Sequence, residues 1–382
     1  MDKTRTLYEF RDLKLEVETT PGQELIDHMH STVLGQPGGF RYRHMDLVER
    51  LHAPGENLFL YLRRSGKMMG SMGFLGRHTK TGGVDHDNWM IRYFSIKAPM
   101  GSFPKKRKVK EDLKDEKKRT SVLGRFMKPV MDNPSLLREG VIKEVKDKAG
   151  VAPAIISALI EEKNLRSMNF SIQMGMETVG EVASFSFSRL RPKKSGRMEQ
   201  LPEQEHDEML SLLRNFYKDY TLFYPGPIFS DNDYHVIRES GRVVAGLKAY
   251  PVRWQVLDMG GGVANRVVGV LSKIPWVRKR VDPDELKMLV LDGIYCEPGS
   301  EEALYELIEG VLEKAGVYVA MFIMDNRSGL YRIFSERKRL GFLHSLLGEF
   351  KAEVRMHFIN IPDKVRRQFR EQPTYITTYD NS

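Results

Sequence analysis

The side chains best suited to metal or acid–base chemistry lie in two short polar runs. Residues 85–87 have the sequence Asp-His-Asp, and residues 27–30 have the sequence Asp-His-Met-His. Carboxylates and imidazoles bind divalent metals, but three adjacent residues on a loop rarely converge on one ion. Two histidines that are two positions apart on a helix point to different faces. We therefore expect no metal site in either run.

A single thiol, Cys296, is the only candidate sulfur nucleophile. It stands at the end of a strand-like run, where a free cysteine is usually a buried apolar residue rather than a reactive one. The chain contains no GxSxG, Walker, HExxH or CxxC motif, so it lacks the signatures of the enzyme classes that depend on them. One cysteine allows no disulfide framework, and the first ten residues contain no apolar run typical of a secretory signal. We therefore expect a cytoplasmic protein.

The charge of the chain is basic and unevenly distributed. Its formal net charge is +9, which favours phosphate-bearing partners of any kind. Much of the excess lies in residues 105–110 and 117–119, with a smaller cluster at 189–197. These segments are typical of a loop and a linker, not of a groove lined with aromatic side chains, so we expect no nucleic-acid partner. The basic insertion at residues 101–118 either steers an anionic cofactor or is simply a solvated loop.

Length and composition indicate a two-domain globular protein. The chain has 382 residues, of which 41% are hydrophobic and 29% are charged. Single cores usually stop growing at about 250–300 residues, so two domains fit better than one. The longest apolar candidate, residues 151–160, is too short to cross a bilayer, which requires about 20 residues. We expect no membrane-spanning segment.

The two halves of the sequence repeat one order of elements. Ser65-Gly66 and Ser240-Gly241 each stand between two strand-like runs, which predicts two tight hairpins. Each hairpin is followed by a strand, a helix, a second strand, a second helix and a closing strand. The predicted strands are residues 89–97, 154–160 and 178–188 in the first half and residues 287–295, 317–324 and 353–361 in the second.

The first helix of the second half has the clearest pattern. Ser300 is a suitable N-cap, two glutamates fill the first turn, and apolar residues recur at helical spacing. That apolar stripe consists of Ala303, Leu304, Leu307, Ile308, Val311 and Leu312. The corresponding helix of the first half is predicted to begin near Thr120 or Ser121.

This order of elements predicts an α/β fold in which a mixed sheet carries helices on its faces. A polar stretch with Pro and Gly at residues 189–197 separates the halves, and we place the domain boundary there. The predicted domains are residues 1–192 and 193–382.

A fixed spacing of polar and small residues follows the second strand of the first half. Asn164, Ser167, Ser171, Gly175 and Met176 are its members. Together with the element order, this spacing resembles the last motif of the GNAT superfamily of acyl-coenzyme A N-acyltransferases. In that family the motif is Asn, a small residue three on, often Tyr seven on, and Gly-Phe at eleven and twelve. The resemblance covers both halves, although the second is the weaker match. It implies two tandem GNAT-like domains, each a mostly antiparallel twisted sheet flanked by helices.

The resemblance also implies a coenzyme A loop. In the family the loop is Arg or Gln, two residues, Gly, one residue, then Gly or Ala, and it opens a helix whose N–H groups hold the pyrophosphate. Residues 119–124 fit this frame, except that Val122 stands where the first Gly belongs and its Cβ would crowd the backbone; the run also fits a capped helix start. The resemblance assigns an acetyl-CoA or other acyl-CoA to Ser95, Ile96, Lys97, Arg119, Thr120, Ser121, Val122, Leu123, Gly124, Arg125 and Asn164.

The second half lacks such a loop. Residues 297–302 have the sequence Glu-Pro-Gly-Ser-Glu-Glu and lead directly from strand to helix. Their three carboxylates repel a phosphate group. We expect the second domain not to bind coenzyme A in the usual way, and instead to supply substrate surface or a structural partner.

The resemblance suggests candidate catalytic groups as well. Acyl transfer needs a base for the amine and an acid for the leaving thiolate. The family's acid is often the Tyr seven after the Asn, a position held here by Ser171. The family's base is usually a carboxylate on or near the fourth strand, which points to Asp87 in the first half and Asp292 in the second.

Taken as a whole, the resemblance implies an acyl-CoA-dependent N-acyltransferase that transfers groups other than aminoacyl groups to a small-molecule or peptide amine. Two alternatives stay open. One is a non-catalytic tandem GNAT-like binding protein, and the other is a tRNA-dependent aminoacyl transferase of the FemABX type. An aromatic cluster at residues 216–229 is either core packing or an apolar wall for a substrate between the domains.

Overall fold

The computed structural model describes residues 4–35, 39–52, 55–96, 122–139, 150–231, 233–261, 265, 275–337 and 339–381. The strands are β1 (Arg5–Phe10), β2 (Leu13–Glu18), β3 (Phe40–His44), β4 (Glu56–Arg64), β5 (Lys67–Thr81), β6 (Val84–Ile96), β7 (Ala154–Glu161), β8 (Glu177–Ser188), β9 (Met198–Gln200), β10 (Tyr234–Glu239), β11 (Arg242–Met259), β12 (Leu286–Cys296), β13 (Val319–Asp325) and β14 (Phe350–Ile359). The helices are α1 (Gln23–Ser31), α2 (Leu47–Leu51), α3 (Val122–Asp132), α4 (Leu136–Glu139), α5 (Leu165–Gln173), α6 (His206–Phe216), α7 (Pro275–Arg278), α8 (Glu301–Ala315), α9 (Gly329–Arg337), α10 (Phe342–Leu347), α11 (Asp363–Glu371) and α12 (Thr378–Asn381).

The chain forms two compact units, and neither is a continuous stretch of sequence. Unit 1 consists of Met1–Thr32, Val48–Val179 and Val354–Arg367. Unit 2 consists of Val33–Leu47, Gly180–Glu353 and Gln368–Ser382. Each unit contains the hairpin, the two strands after it and the helices that the sequence pattern predicts for one half, and the α/β class is confirmed.

In unit 1 the strands follow the order β1-β2-β4-β5-β6-β7. The pairs are antiparallel except for β6 and β7, which are parallel. The predicted hairpin joins β4 to β5 through Ser65 and Gly66, with φ angles of 46° and 78°, the left-handed pair that a two-residue hairpin turn requires. Helix α3 packs Met127 and Val130 into a core that includes Trp89 of β6.

In unit 2 the order is β8-β13-β12-β11-β10-β9, and β3 also pairs with β11. Among the described strands of this unit, β12 and β13 pair in parallel and the other pairs are antiparallel. The predicted turn of the β10–β11 hairpin is confirmed, with positive φ at Ser240 and Gly241. Ser300 holds the N-cap position of α8 without a side-chain bond. The whole predicted apolar stripe of α8 is buried.

The closing strands of the two halves are exchanged. Strand β8 follows the first-half helix α5, yet it pairs antiparallel with β13 of unit 2 and buries Phe185 and Phe187 in the core of that unit. Strand β14 closes the second half, yet its residues 354–359 belong to unit 1, where β14 neighbours β7. There Arg355 donates to the carbonyl oxygen of Met176 at 2.6 Å. Each unit's sheet therefore contains the closing strand of the other half.

The limits of the units consequently differ from the predicted domain limits. The predicted boundary between residues 192 and 193 lies inside unit 2, which begins its long segment at Gly180 and also takes in residues 33–47. The reason is the strand exchange, since an apolar alternation shows that a strand has a buried face but not which sheet it joins. The division into residues 1–192 and 193–382 stays a prediction about the sequence repeat.

Candidate active site

A β-bulge interrupts β6 in unit 1. Gly73 of β5 pairs with Arg92 and Ser71 pairs with Ser95, so two residues of β6 lie opposite a single residue of β5. The first of the two, Tyr93, has a φ of 53°, a conformation that is unusual for an aromatic residue and that a bulge can hold. The regular alternation of side chains along β6 therefore changes at this point.

Directly before this bulge, β6 separates from its parallel neighbour β7. Their paired register ends at Met90 and Ser157, whereas β6 continues to Ile96 and β7 to Glu161. We call the resulting opening the β6–β7 wedge. Backbone groups of β6 that would bond to β7 in a continuous sheet face the wedge instead, and an extended chain with amide groups can bind such groups.

Unit 2 repeats the bulge at the corresponding place. Lys248 of β11 pairs with Asp292 and Gly246 pairs with Tyr295, so two residues of β12 lie opposite a single residue of β11. The first of the two, Gly293, has a φ of 56°. Asp292 stands directly before the bulge of unit 2, as Arg92 does in unit 1, so the two residues correspond.

The parallel pair of unit 2 also separates. The register of β12 and β13 ends at Val290 and Met321, and both strands continue beyond that pair. We call this opening the β12–β13 wedge. The structure thus contains the same arrangement twice, a bulge beside a parallel pair that opens.

In unit 2 the wedge is occupied by the chain itself, through residues 372–379. The N–H of Thr374 donates to the carboxylate of Asp325 on β13 at 2.9 Å. On the other side, the N–H of Gly293 in the bulge donates to the hydroxyl of Tyr375 at 3.3 Å. The N–H of Ile323 on β13 donates to the hydroxyl of Thr378 at 3.1 Å, so a backbone N–H of each separated strand is satisfied from within unit 2.

Asp292, one of the predicted catalytic residues, anchors this segment. Its side-chain oxygens accept the N–H groups of Thr378 at 2.5 Å and Tyr379 at 3.1 Å. The residue is 3% exposed, and burial raises the pKa of Asp292 to about 8, against the effect of the two N–H donors, which lower it. The structure therefore gives Asp292 a structural contact with residues 378 and 379.

The aromatic cluster at residues 216–229 also packs against this segment. The ring of Tyr217 lies 4.9 Å from the rings of Phe223 and Tyr375, and its hydroxyl donates to the carbonyl oxygen of Ile294. Tyr217 and Tyr220 line a small cavity that Asp292 also borders. Core packing is therefore confirmed for Tyr217.

In unit 1, two residues of the predicted family motif shape helix α5. Asn164 caps it, because its side-chain oxygen accepts the N–H of Ser167 at 3.1 Å. Ser171 is 2% exposed, and its hydroxyl donates to the carbonyl oxygen of Met168 at 2.7 Å. The spacing of the motif thus follows from helix geometry, while a cofactor contact of Asn164 and an acid role of Ser171 stay predictions.

Asp87, the remaining predicted catalytic residue, lies near the paired end of β6. It accepts from Arg138 at 2.6 Å and contacts His78 at 3.2 Å. The strand places it about 20 Å from the bulge at Tyr93, six residues away at about 3.3 Å per residue. The structure does not bring Asp87 to the wedge.

The predicted cofactor loop falls only partly within the described residues. Outside them lie Lys97, Arg119, Thr120 and Ser121. Helix α3 begins at Val122, and its first turn continues with Leu123, Gly124 and Arg125, while Ile96 ends β6. A helix after this strand is confirmed, but a phosphate role of the loop stays a prediction.

Near the bulge lie polar side chains to which the sequence analysis gave no role. Nε2 of His28 on α1 lies 3.0 Å from Oγ of Ser95, and His28 is 7% exposed. Arg92 is 9% exposed and donates to the hydroxyl of Tyr93. A single arginine within the apolar run at residues 89–94 was the available signal for Arg92, while nothing local connects His28 to the bulge.

The run at residues 85–87 forms no cluster around an ion. His86 is buried between the hydroxyls of Thr79 and Thr81, at 3.3 Å and 3.2 Å, and burial lowers the pKa of His86 to about 4. Across the described ranges, no group of three or more His, Cys, Asp or Glu residues is arranged to hold a metal ion.

Comparison with known proteins identifies the fold. No protein-family model matches the sequence, and no curated protein matches it. The structure is similar to Saccharomyces cerevisiae N-myristoyltransferase with bound myristoyl-CoA, at a TM-score of 0.53 and 10% identity over 94% of this chain and 85% of that chain. A structure of that enzyme with bound myristoyl-CoA and inhibitors gives a TM-score of 0.51 and 11% identity over 94% and 83%. The chain has the GNAT fold.

The GNAT resemblance that the Asn164 motif and the element order predicted is thus confirmed at the level of the fold. A GCN5-related N-acetyltransferase from Sphaerobacter thermophilus also matches, at a TM-score of 0.43 and 9% identity over 82% of this chain and 85% of that chain. Within this GNAT fold, the two wedges are repeated positions, and the one in unit 2 holds residues 372–379. None of the helices described here is both long and apolar enough to cross a membrane.

Proposed function

We propose that the protein is an acyl-CoA-dependent N-acyltransferase and that unit 1 binds the acyl-CoA. The observation that carries this proposal is the β6–β7 wedge beside the bulge at Tyr93. The pantetheine arm of coenzyme A is an extended chain with amide groups, so it can pair with a strand that has separated from its neighbour. Helix α3 follows β6 in the chain, and the N-terminus of a helix favours phosphate groups.

The acyl donor and acceptor are proposed as classes. The Saccharomyces cerevisiae N-myristoyltransferase of similar fold holds myristoyl-CoA, which supports an acyl-CoA co-substrate here, whether acetyl-CoA or one with a longer chain. The acceptor is a small-molecule or peptide amine. The cytoplasmic location expected from the single cysteine stays a prediction.

Unit 2 is proposed to bind no acyl-CoA. Residues 372–379 occupy the β12–β13 wedge through contacts to both strands. In addition, β12 ends at Cys296 and α8 begins at Glu301, with carboxylates at residues 297, 301 and 302 that repel phosphate groups. The proposed role of unit 2 is therefore structural or acceptor-binding.

The reaction needs one proton removed and one supplied. The amine nitrogen attacks the thioester carbonyl carbon, a C–N bond forms, and the C–S bond breaks with its electron pair leaving on sulfur. We propose His28 as the proton acceptor, because it reaches the bulge through Ser95. The thiolate leaves as the anion or takes the released proton, since the hydroxyl hydrogen of Ser171 is already engaged with Met168.

Calorimetric titration with acetyl-CoA and with myristoyl-CoA tests this proposal. We expect saturable binding to the wild type and at least a tenfold weaker Kd for Arg119→Glu, which reverses a charge in the predicted phosphate loop. Lys128→Glu, an exposed charge reversal later in α3, is the matched control and should bind as the wild type does.

Three outcomes would contradict the proposal. Absence of binding by either acyl-CoA at millimolar concentration would reject an acyl-CoA site. Salt-dependent binding of tRNA without an acyl-CoA site would favour the aminoacyl-transferase alternative instead. Binding without acyl transfer to any amine of a broad panel would favour a non-catalytic binding protein.

A further inference from the structure

Arg92 is a buried guanidinium with unused donors, directly before the bulge in β6. It is 9% exposed. One of its nitrogens, Nη2, donates to the hydroxyl of Tyr93, and its guanidinium carbon lies 4.4 Å from the centre of that ring. Its Nε and Nη1 are buried and have no hydrogen-bond partner in the described chain. Burying an arginine with unsatisfied donors costs free energy. We therefore expect a bound group that accepts hydrogen bonds from these donors.

A second unsatisfied polar group lies on the neighbouring strand. Ser71 is 5% exposed, and its hydroxyl oxygen is also buried without a hydrogen-bond partner in the part of the chain described. Ser71 pairs with Ser95 just beyond the bulge, and Gly73 pairs with Arg92 just before it. Partners in register lie on the same face of a sheet, and Gly73 lies two residues from Ser71 on β5, so Ser71 and Arg92 share a face.

That face of the sheet is the one opposite α3. Trp89 and Ile91 of β6 pack in the core that contains α3 residues, and Arg92 follows with the opposite orientation along the strand. Gly73 has no side chain beside Arg92, and a Cβ there would lie 3.4 Å from Cγ of Arg92. The arginine therefore lies on the face of the sheet that is turned away from α3.

Unit 2 shows which contacts satisfy the buried polar side chain at the corresponding position. Asp292 occupies the place that corresponds to Arg92, directly before the bulge of β12. Its carboxylate is satisfied by the N–H donors of Thr378 and Tyr379 from residues 372–379. In unit 1 the side chain is a guanidinium, which is positively charged and only donates hydrogen bonds, so the complementary group for Arg92 is an anion.

We propose that Arg92 and Ser71 form an anion subsite that binds a carboxylate on the acceptor amine. This inference rests on the proposed function, because it places the acceptor beside the acyl-transfer bulge. A carboxylate can accept charge-assisted bonds from the open Arg92 donors and a bond from the Ser71 hydroxyl. A single guanidinium balances its one negative charge, whereas a phosphate dianion would leave excess negative charge buried.

The first test measures unfolding by denaturant, with phenylalanine and phenethylamine as probes that differ only in the carboxylate. Phenylalanine should raise the unfolding midpoint of the wild type, and phenethylamine should not. Arg92→Met should remove this response while unfolding, without ligand, at an equal or higher denaturant concentration, because a buried unsatisfied charge is gone. Arg64→Met, which removes an exposed arginine of unit 1, should keep the response to phenylalanine.

The opposite results would overturn the subsite. If Arg92→Met without ligand unfolds at a much lower midpoint than the wild type, and Arg92→Lys restores it, then Arg92 is a structural residue. Equal responses to phenylalanine and phenethylamine, or no response of the wild type to either probe, would also reject the proposal. Inorganic phosphate that stabilises the wild type more than phenylalanine does, with Arg92 required, would assign the subsite to a phosphate instead.

The second test measures acyl transfer from acetyl-CoA and myristoyl-CoA to three matched pairs of amines: glycine and methylamine, phenylalanine and phenethylamine, lysine and cadaverine. In the wild type the carboxylate-bearing member should have the higher kcat/KM. Arg92→Met should lower that value about 10- to 100-fold, mainly through KM, and leave the other member unchanged.

The two tests separate this inference from the proposed function. Transfer to both members of each pair with no effect of Arg92→Met would reject the subsite and keep the acyltransferase. Arg92-dependent stabilisation by phenylalanine, without acyl-CoA binding or transfer, would keep the anion site and reject the acyltransferase.

Discussion

The backbone N–H of Gly293 donates to the hydroxyl of Tyr375 at 3.3 Å. Gly293 is the first residue of the bulge in β12, and Tyr375 belongs to the segment at residues 372–379 that occupies the β12–β13 wedge. In unit 1 the corresponding bulge begins at Tyr93. The protein therefore contains two bulges of one kind, and one of them is bonded to a distant part of its own chain.

We expect calorimetric titration to give one acyl-CoA per chain. The β12–β13 wedge already holds residues 372–379, so only the β6–β7 wedge can accept a pantetheine arm. Arg119→Glu should weaken the whole binding signal rather than half of it. A measured ratio of two acyl-CoA molecules per chain would show that residues 372–379 leave their wedge when the ligand binds.

Asp292 should make the stability of unit 2 depend on pH. Burial raises the pKa of Asp292 from 3.8 to about 8, so the folded state binds a proton that the unfolded state releases. The contribution of Asp292 to the free energy of unfolding is fully present below about pH 4 and is lost as the pH rises towards 8. Between pH 5 and 8, Asp292→Asn should therefore lose less unfolding free energy than the wild type, as measured by denaturant titration.

A carboxylate in solvent provides the control for this measurement. The side chain of Asp284 is 75% exposed, and Asp284→Asn should follow the wild-type pH dependence. Parallel curves for the wild type and Asp292→Asn would mean that Asp292 has an ordinary pKa in the folded protein.

The exchanged strands predict which neighbouring strand is destabilised by a core mutation. Phe185 of β8 is fully buried in the core of unit 2, so Phe185→Ala should cost about 3–5 kcal/mol. Hydrogen exchange should then accelerate in β13 and not in β7, although β7 is nearer to β8 in the sequence. Ile359→Ala in β14 is the matched variant, since Ile359 lies in the unit 1 core, and it should accelerate exchange in β7 and not in β13. Acceleration in the sequence-adjacent strands would contradict the exchange.

His28 and Asp87 should differ in their effects on acyl transfer. His28→Gln removes the proposed proton acceptor and should lower kcat about 100-fold or more, with loss of the pH dependence of kcat that a histidine base gives. Asp87→Asn should leave kcat within about threefold, because β6 places Asp87 far from the bulge. Its loss of the Arg138 ion pair should cost at most about 1 kcal/mol of stability. A large loss of kcat in Asp87→Asn and a small loss in His28→Gln would instead indicate that Asp87 is the base.

Much of the fold could be predicted from local sequence patterns. The turns at residues 65–66 and 240–241 require left-handed backbone, and Ser-Gly provides it next to apolar strands. The stripe of α8 requires a buried face, and six apolar residues at helical spacing provide it. The Asn164 spacing marks the start of a helix, because the Asn side chain caps a backbone N–H. Each of these features depends on residues that are near one another in the chain.

The features that were not predicted depend on residues that are far apart. Tyr93 gives no local sign of a positive φ, since only its pairing across β5 creates the bulge. Strands β8 and β14 have the same apolar pattern in either sheet. The contact between His28 and Ser95 joins a helix to a strand across 67 residues, and the segment at residues 372–379 finds its wedge only in the folded chain.

The exchange of closing strands has a consequence for dividing this protein. A polypeptide of residues 1–192 would lack the β14 strand that neighbours β7, and a polypeptide of residues 193–382 would lack the β8 strand that pairs with β13. Each fragment alone would expose an open sheet edge, a common cause of self-association. Mixed together, the fragments should complement each other as a split protein. A protease cut within residues 189–197 should accordingly leave two interlocked pieces that separate only on denaturation.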